Sequence, residues 1–208
     1  RHVPYFSFVC DPERPTVNCV QPKGHHRFEF MLKPGQSREE MEAPETIRRQ
    51  LARHVDVDRF EVLRHLVYTF NALIADRWRD RRVLLAGDAA HMTPQFIGQG
   101  MNAGVRDAFN LGWKLHAVLR GQACEGLLDT YESERRPHVK AMIREAVRIK
   151  NLVSLQSRSA AWLRNLTLRG ILRLPVLGRM FTRGELIPKP VYAQGSYFGL
   201  PRRWRRPE

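Results

Sequence analysis

Cysteines and long apolar runs are both scarce in this sequence of 208 residues. The three cysteines, Cys10, Cys19 and Cys124, lie far apart and form no C-x-x-C pair. That pattern supports neither a disulfide framework nor a structural zinc site, and it is typical of a reducing cytoplasm. The apolar runs are far shorter than the roughly 20 residues that a membrane-spanning helix needs. We therefore expect a cytoplasmic protein with no membrane span and no metal site.

Acidic residues are in the minority, with 21 Asp and Glu against 35 Lys and Arg and a net charge of +14. Most of the excess lies in residues 120–208, which hold 18 of the basic and 7 of the acidic residues. The run from Arg202 to Arg206 could contact nucleic acid or an acidic membrane, but no nucleic-acid-binding motif accompanies it. We expect a solvated tail and no nucleic-acid partner.

The most informative stretch is a strand-like segment that ends in a glycine and a carboxylate. Four apolar residues, Val83 to Ala86, lead into Gly87 and Asp88. A strand buried in a parallel sheet has this pattern at its carboxyl end, which is the edge where ligands bind. The carboxylate suits accepting hydrogen bonds from the hydroxyls of a ribose or ribityl chain. The alternative, more frequent for an isolated GD pair, is that Asp88 only caps a turn.

A glycine-containing loop and a helix follow this segment. Apolar residues that include Met101, Val105 and Phe109 repeat at helical spacing over about five turns, which predicts a helix buried on its apolar side. The start of such a helix presents free N–H groups and partial positive charge. Gly98 and Gly100 would let the loop backbone approach a flat or charged ligand closely.

Taken together, these residues resemble a known flavin motif. The strings GDAAH, P-x-x-G-Q-G-M-N and G-x-R-D-A-x-N-L-x-W-K-L are similar to the second flavin motif of the class A flavoprotein aromatic hydroxylases, the p-hydroxybenzoate hydroxylase-like FAD monooxygenases. The 3-(3-hydroxyphenyl)propionate hydroxylase branch is the most similar. The resemblance continues in Cys10-Asp11-Pro12, in residues 27–32 and in residues 129–137, and it spans roughly residues 5 to 155.

The resemblance implies an α/β fold with an α+β part, namely the FAD/NAD(P)-binding Rossmann-like fold of the p-hydroxybenzoate hydroxylase type. No G-x-G-x-x-G fingerprint and no intermediate DG motif occur, so we expect a C-terminal fragment without the N-terminal dinucleotide-binding half. Residues 1–75 would belong to the substrate-binding antiparallel sheet domain. Residues 76–155 would supply the last parallel strand and helices of the FAD-binding domain. Residues 156–208 would form a basic helical and extended segment.

In function, the resemblance implies an FAD-dependent monooxygenase of aromatic catabolism that hydroxylates a phenolic substrate with NADH or NADPH and O2. A homodimer is compatible with it. The backbone of Pro94 is expected near the reacting edge of the flavin, and Tyr68 and Phe70 are expected to face the substrate. The expected FAD-binding residues are Gly87, Asp88, Pro94, Gly98, Gly100, Met101 and Asn102.

Some features limit these expectations. Gln95 stands where the family has a second proline, and the fragment alone should neither hold FAD nor be active. His91 is expected to be a hydrogen-bonded structural residue, and Arg106 with Asp107 to form a structural ion pair or a contact to the missing half. The alternative function is a non-catalytic relative or basic binding module that keeps the hydroxylase architecture. The intact GDAAH and GQGMN strings weigh against that alternative.

The flanking regions have simpler patterns. We predict strands at Tyr5–Cys10, Arg27–Leu32 and Phe60–Phe70, the first two in an antiparallel sheet. Between them, acidic residues precede basic ones over Ser37–Val55, which predicts a helical segment with Pro44 in a first turn.

Helices dominate the later part of the sequence. Leu127–Arg136 is predicted to be helical, and Pro137 should start a new segment or kink the old one. A core-facing apolar stripe follows, and residues 156–183 are predicted to be helical. Beyond residue 184 we expect extended chain. The stripe consists of Val139, Met142, Ile143, Ala146, Val147 and Val153.

Overall fold

The computed structural model describes residues 6–182 and 188–189. Tyr5, Arg183, the expected extended chain beyond residue 184 (apart from residues 188 and 189) and the basic run at 202–206 therefore lie outside the described residues. The chain divides into two compact units. The sheet unit comprises Arg1–Thr69 and Asn151–Arg173, and the central unit comprises Phe70–Lys150 and Leu174–Glu208. The three-part division expected from the sequence stays a prediction.

The sheet unit contains a three-stranded antiparallel sheet in the order β1-β2-β3. Its strands are β1 (Phe6–Val9), β2 (Thr16–Val20) and β3 (His26–Phe30). The aromatic and branched residues of these strands favour extended backbone, and the prolines and Gly24 between them favour turns. The predicted antiparallel sheet is confirmed, but the loop expected between its two strands is wrong, because that segment contains β2, which pairs with both β1 and β3.

Two short helices follow the sheet where the acid-to-base pattern predicted helical structure. In α1 (Arg38–Glu42), the Ser37 side chain caps the helix by accepting a hydrogen bond from the Glu40 N–H at 3.1 Å. In α2 (Pro44–Leu51), Pro44 occupies the first turn, where the N–H that it lacks is not needed. The extended backbone of Ala43 separates the two helices.

The strand predicted at Phe60–Phe70 is wrong, because residues 60–72 have no regular secondary structure. A strand needs a neighbouring strand, and here side chains bind the backbone instead. Arg38 donates to the Val67 carbonyl at 2.9 Å, and the Glu42 carboxylate accepts from the Val67 N–H at 2.6 Å. The backbone groups of Val67 are therefore engaged by the side chains of α1.

The helical character predicted for residues 156–183 is confirmed, in α5 (Arg158–Arg173) and α6 (Pro175–Thr182). Within the sheet unit, Arg164 of α5 is 5% exposed and bridges distant segments. Its guanidinium donates to the carbonyls of Cys10 at 2.6 Å and Leu152 at 3.0 Å. A cation can be buried there because carbonyl oxygens satisfy its donors.

The central unit is built from two small antiparallel strand pairs and two long helices. Strand β4 (Leu73–Ile74) pairs with β7 (His91–Met92), and β5 (Arg79–Asp80) pairs with β6 (Val83–Leu84). The helices are α3 (Gly100–Leu119) and α4 (Asp129–Val153). The core of this unit consists of Trp78, Ala90, Leu111, Leu128, Tyr131, Val139 and Ile143.

The strand before the Gly87-Asp88 turn differs from expectation. Only Val83 and Leu84 are in strand conformation, their pairing is antiparallel, and Val83 is 64% exposed. The residues described here contain no parallel strand pair. The expectation of a strand buried on both faces fails locally because burial of both faces requires parallel neighbours and covering helices.

Helix α3 lies where it was predicted, but only part of its apolar stripe is buried, and polar residues are buried with it. Met101 is 80% exposed and Phe109 is 73% exposed, whereas Asp107 and Lys114 are completely buried. In the later part of the helix the expected apolar residues do face the core, because Leu111 belongs to it and Leu115 and Val118 pack against it. The expectation that α3 buries its Met101, Val105 and Phe109 stripe is therefore wrong for this chain.

Helix α4 explains why a polar face of α3 can be buried. Lys114 Nζ lies 2.6 Å from Glu134 Oε2 and 2.7 Å from Thr130 Oγ1. Asn110 Nδ2 donates to the same Glu134 oxygen at 2.7 Å. Burial lowers the pKa of Lys114, and the bonds to Glu134 offset part of that shift. The two helices are joined by a hydrogen-bonded ion pair.

Pro137 does not end α4, which continues to Val153. The helix is held on both sides of the proline by buried residues, Arg135 before it and Val139 after it. Met142, Ile143 and Ala146 are also buried, so the apolar stripe predicted for this helix does face the core. Within the described residues, no helix combines the length and the apolar character needed to cross a membrane.

Candidate functional site

The predicted ligand turn is a single turn of 3-10 helix at Gly87–Ala89, directly after β6. Gly87 has φ +57°, a left-handed conformation that side chains other than glycine rarely adopt. Asp88 is exposed, and none of the described residues binds its carboxylate. An exposed carboxylate on this turn is available to accept hydrogen bonds from a ligand.

The start of α3 has unsatisfied backbone donors. Gln99 precedes the helix without capping it through its side chain, and the first turn contains no acidic residue. The N–H groups of Gly100, Met101 and Asn102 therefore have no partner within the helix. In a helix of 20 residues, these groups carry the positive end of the helix dipole. They suit a polar or negatively charged group of a ligand.

A short loop connects the turn with the helix. Pro94 is buried and precedes a 3-10 turn at Gln95–Ile97, and Gly98 ends that turn with φ +61°. Gly98 is needed there because a side chain would be strained in this left-handed conformation. The loop thus brings the chain back from β7 to the start of α3.

The turn is also packed directly on α3. A Cβ atom on Gly104 would lie 3.5 Å from the Cα of Gly87, so the two backbones are in close approach. Asp107 Oδ2 accepts a hydrogen bond from the Gly87 N–H at 3.0 Å. The turn that carries Asp88 is therefore attached to the same helix whose first residues are also predicted to bind the ligand.

Asp107 is the centre of a buried polar cluster. His91 Nε2 lies 2.6 Å from Asp107 Oδ2, and Arg135 Nε donates to Asp107 Oδ1 at 2.8 Å. Burial by itself would raise the pKa of Asp107, but the hydrogen bond with His91 and the charge of Arg135 outweigh it and lower that pKa. His91 is thus a hydrogen-bonded structural residue, as expected.

Asp107 forms an ion pair with a residue other than the expected Arg106. The cation that binds Asp107 is Arg135 of α4, 28 residues later in the sequence. The sequence prediction missed this role of Arg135 and also missed Gly104. One signal was available, since Asp107, Asn110 and Lys114 are spaced i, i+3, i+7 and so share one face of the helix.

Tyr68 and Phe70, the expected substrate residues, lie in the irregular segment that replaces the predicted strand. Their side chains are 62% and 45% exposed. They belong to different units of the chain, Tyr68 to the sheet unit and Phe70 to the central unit. Their role in substrate binding stays a prediction.

A family model described as an FAD binding domain matches residues 7–146, which is more than half of the chain. The chain belongs to this FAD-binding family. The fold class expected from the flavin motif is confirmed by the match.

Relatives of the chain are aromatic hydroxylases. A 3-(3-hydroxy-phenyl)propionate/3-hydroxycinnamic acid hydroxylase of Klebsiella pneumoniae subsp. pneumoniae is 44% identical over 201 residues, covering 93% of this chain and 35% of the relative. The chain thus spans about a third of the length of the curated relatives it matches. The resemblance to the hydroxyphenylpropionate hydroxylase branch is confirmed.

Solved structures give the same family. An aklavinone-11 hydroxylase, solved with FAD and aklavinone, is 34% identical with a TM-score of 0.63, and the match covers 72% of this chain and 29% of that one. The p-nitrophenol 4-monooxygenase of Pseudomonas putida is 25% identical with a TM-score of 0.74, and the match covers 88% of this chain and 48% of that one.

The residues of the site fit the polar groups of a flavin. FAD has ribityl and ribose hydroxyls that a carboxylate can bind, and a polar edge on its ring system that backbone N–H groups can bind. The exposed Asp88 carboxylate offers the first kind of partner, and the uncapped start of α3 offers the second. The donor and acceptor set on the central unit is therefore the one that the family's cofactor needs.

Proposed function

We propose that this chain supplies part of the flavin site of an FAD-dependent monooxygenase, which hydroxylates a phenolic aromatic substrate with NADH or NADPH and O2. The observation that carries the proposal is one arrangement of residues. The Gly87-Asp88 turn carries an exposed carboxylate and is hydrogen-bonded to α3. The N-terminus of that same helix is uncapped. The activity is that of the full-length protein, meaning a chain of the relatives' length that contains these 208 residues.

Within this proposal, Asp88 accepts hydrogen bonds from ribityl or ribose hydroxyls of FAD. The N–H groups of Gly100, Met101 and Asn102 bind the pyrimidine side of the ring system. Because they lie at the positive end of the helix dipole, they stabilise negative charge on the reduced cofactor. Pro94 and Gly98 fix the path of the loop between these two groups, with the backbone of Pro94 near the reacting edge of the flavin.

When bound, FAD would supply the oxidation chemistry: NAD(P)H would provide two electrons, one oxygen atom of O2 would go to the substrate ring, and the other would leave as water. The contribution of this chain is to hold the cofactor in place and to stabilise its charge. The identity of the relatives supports a 3-hydroxyphenyl-propionate or 3-hydroxycinnamate as substrate. Tyr68 and Phe70 are the proposed aromatic contacts to that substrate. Three free cysteines support the cytoplasm as the compartment.

The proposal is tested by following NAD(P)H consumption and hydroxylated product together in the full-length protein. The panel contains 3-hydroxyphenyl-propionate, 3-hydroxycinnamate, hydroxybenzoates and a non-phenolic control, phenylpropionate. We expect the hydroxyphenyl compounds to accelerate NAD(P)H oxidation and to give a product with one added hydroxyl. Phenylpropionate should give neither. Light scattering on the same sample tests the homodimer.

Two other outcomes have distinct meanings. If the protein binds FAD but no phenol yields product, it is the non-catalytic relative. If it binds no FAD and instead binds DNA with a steep salt dependence, it is the basic binding module.

A further inference from the structure

Asp107 connects the ligand turn with three other parts of the central unit. Its Oδ2 accepts from the Gly87 N–H at 3.0 Å and lies 2.6 Å from His91 Nε2, and its Oδ1 accepts from Arg135 Nε at 2.8 Å. Arg135 in turn donates to the Ala103 carbonyl in the first turns of α3 at 3.3 Å. Asp107 and Arg135 are both completely buried.

We propose that Asp107 is a positioning residue for FAD, which fixes the Gly87-Asp88 turn against the start of α3. The inference rests on the proposed function and extends it to a residue that does not touch the cofactor. The Asp88 carboxylate and the N–H groups at the helix start can bind one ligand together only if their separation is fixed. Asp107 fixes it from both sides, through Gly87 on the turn and through Arg135 and Ala103 on the helix.

The bond to Gly87 is specific to the turn. Gly87 precedes Asp88 and has φ +57°. A glycine without restraints would populate this conformation and several others. When its N–H loses the Asp107 acceptor, the turn loses its side-chain hydrogen bond to α3, and the contact of Gly87 with Gly104 and the hydrogen bond from the Ala90 N–H to the Gly87 carbonyl at 2.9 Å remain. The Lys114–Glu134 pair provides a contrast, because it joins the later part of α3 to α4.

Two double variants isolate the acceptor. Removing Asp107 alone would leave the Arg135 cation buried without its carboxylate, so both variants also carry Arg135→Met. Asp107→Leu/Arg135→Met has no acceptor for the Gly87 N–H. In Asp107→Asn/Arg135→Met, the amide oxygen can take the place of Oδ2 and still accept from Gly87 and His91, while its NH2 group takes the place of Oδ1, which faces residue 135.

The first measurement is an FAD titration of the full-length protein. We expect the Leu variant to bind FAD about ten- to a hundredfold more weakly than wild type. The reason is that the hydrogen bond from the Gly87 N–H to a charged carboxylate, which positions the turn, is lost. The Asn variant should recover most of that affinity. Lys114→Met/Glu134→Leu, the matched control, changes another buried ion pair of the same helices and should leave FAD affinity unchanged.

The second measurement needs no cofactor. Amide hydrogen exchange at Gly87 in the 208-residue chain should be faster in the Leu variant than in wild type, and slow again in the Asn variant. Equal FAD affinity and equal Gly87 exchange in the Leu and Asn variants would overturn the proposal. If wild type binds no FAD while the exchange results are as expected, the proposed function fails and the positioning of the turn by Asp107 stands.

Discussion

The buried pair between Lys114 and Glu134 gives a stability prediction that depends on geometry alone. Both side chains are completely excluded from solvent, and their charged atoms are 2.6 Å apart. Lys114→Met removes the cation and leaves the Glu134 carboxylate buried with the amide of Asn110 as a neutral donor. Removing one partner of a buried ion pair typically destabilises a protein by about 3 to 5 kcal/mol.

The cycle is completed by Glu134→Leu and by the double variant. Glu134→Leu should also be destabilising, since it leaves the ammonium group buried without its carboxylate, with the neutral Thr130 hydroxyl at 2.7 Å. In Lys114→Met/Glu134→Leu no charge is left buried, and apolar replacement of a buried pair is often close to neutral. The double variant should therefore be clearly more stable than either single variant.

The assay is urea unfolding followed by far-UV circular dichroism. The two single variants should lower the urea midpoint with an unchanged m-value, and the double variant should recover most of the loss. Additive effects, or a loss below about 1 kcal/mol in Lys114→Met, would refute the reasoning, because such a small loss is typical of a solvent-exposed pair.

Three further predictions concern pH, the isolated chain and the tail. Burial, followed by the charge of Arg135, lowers the pKa of His138 to about 4. The unfolded chain, with a histidine pKa near 6.5, therefore binds the proton more tightly, and about 3 kcal/mol of stability should be lost as pH falls from about 6.5 to 4. Urea midpoints across this range should show the loss in wild type and less of it in His138→Gln; equal slopes would contradict it. The 208-residue chain alone should bind FAD weakly or not at all by fluorescence titration, because the dinucleotide fingerprint is absent, and tight binding would show that the site is complete within it. Deleting Pro201–Glu208 from the full-length protein should leave phenol-stimulated NAD(P)H oxidation unchanged, whereas a large loss would show that the tail is needed for activity.

Local signals account for what the sequence predicted well. Ser37 and Pro44 mark helix starts through bonds made within one turn, and the structure has both. Two glycines of the flavin motif, Gly87 and Gly98, have positive φ, whereas Gly100 and Gly104 do not. These features depend on a few neighbouring residues, so a sequence pattern is sufficient to find them.

Features that depend on distant residues were not predictable in the same way. The strand expected at Phe60–Phe70 had suitable composition, but strand formation depends on a partner, and here Arg38 and Glu42 bind the backbone of Val67. Periodicity gave the bounds of α3 and the buried Leu111, but it did not reveal the buried polar residues, because the burial of Asp107 depends on Arg135 in another helix. Polar residues at i, i+3 and i+7 were the one local indication of that face.

The most direct test of the account is an FAD titration of the full-length protein carrying Asp88→Ala. Asp80→Ala is the matched control, because Asp80 is an exposed carboxylate at the end of β5 to which none of the described residues binds. The account predicts that Asp88→Ala raises the FAD dissociation constant about ten- to a hundredfold, as expected for the loss of a hydrogen bond to a charged group, and that Asp80→Ala leaves it unchanged. Equal affinities of wild type, Asp88→Ala and Asp80→Ala would contradict it, since Asp88 would then only form a turn.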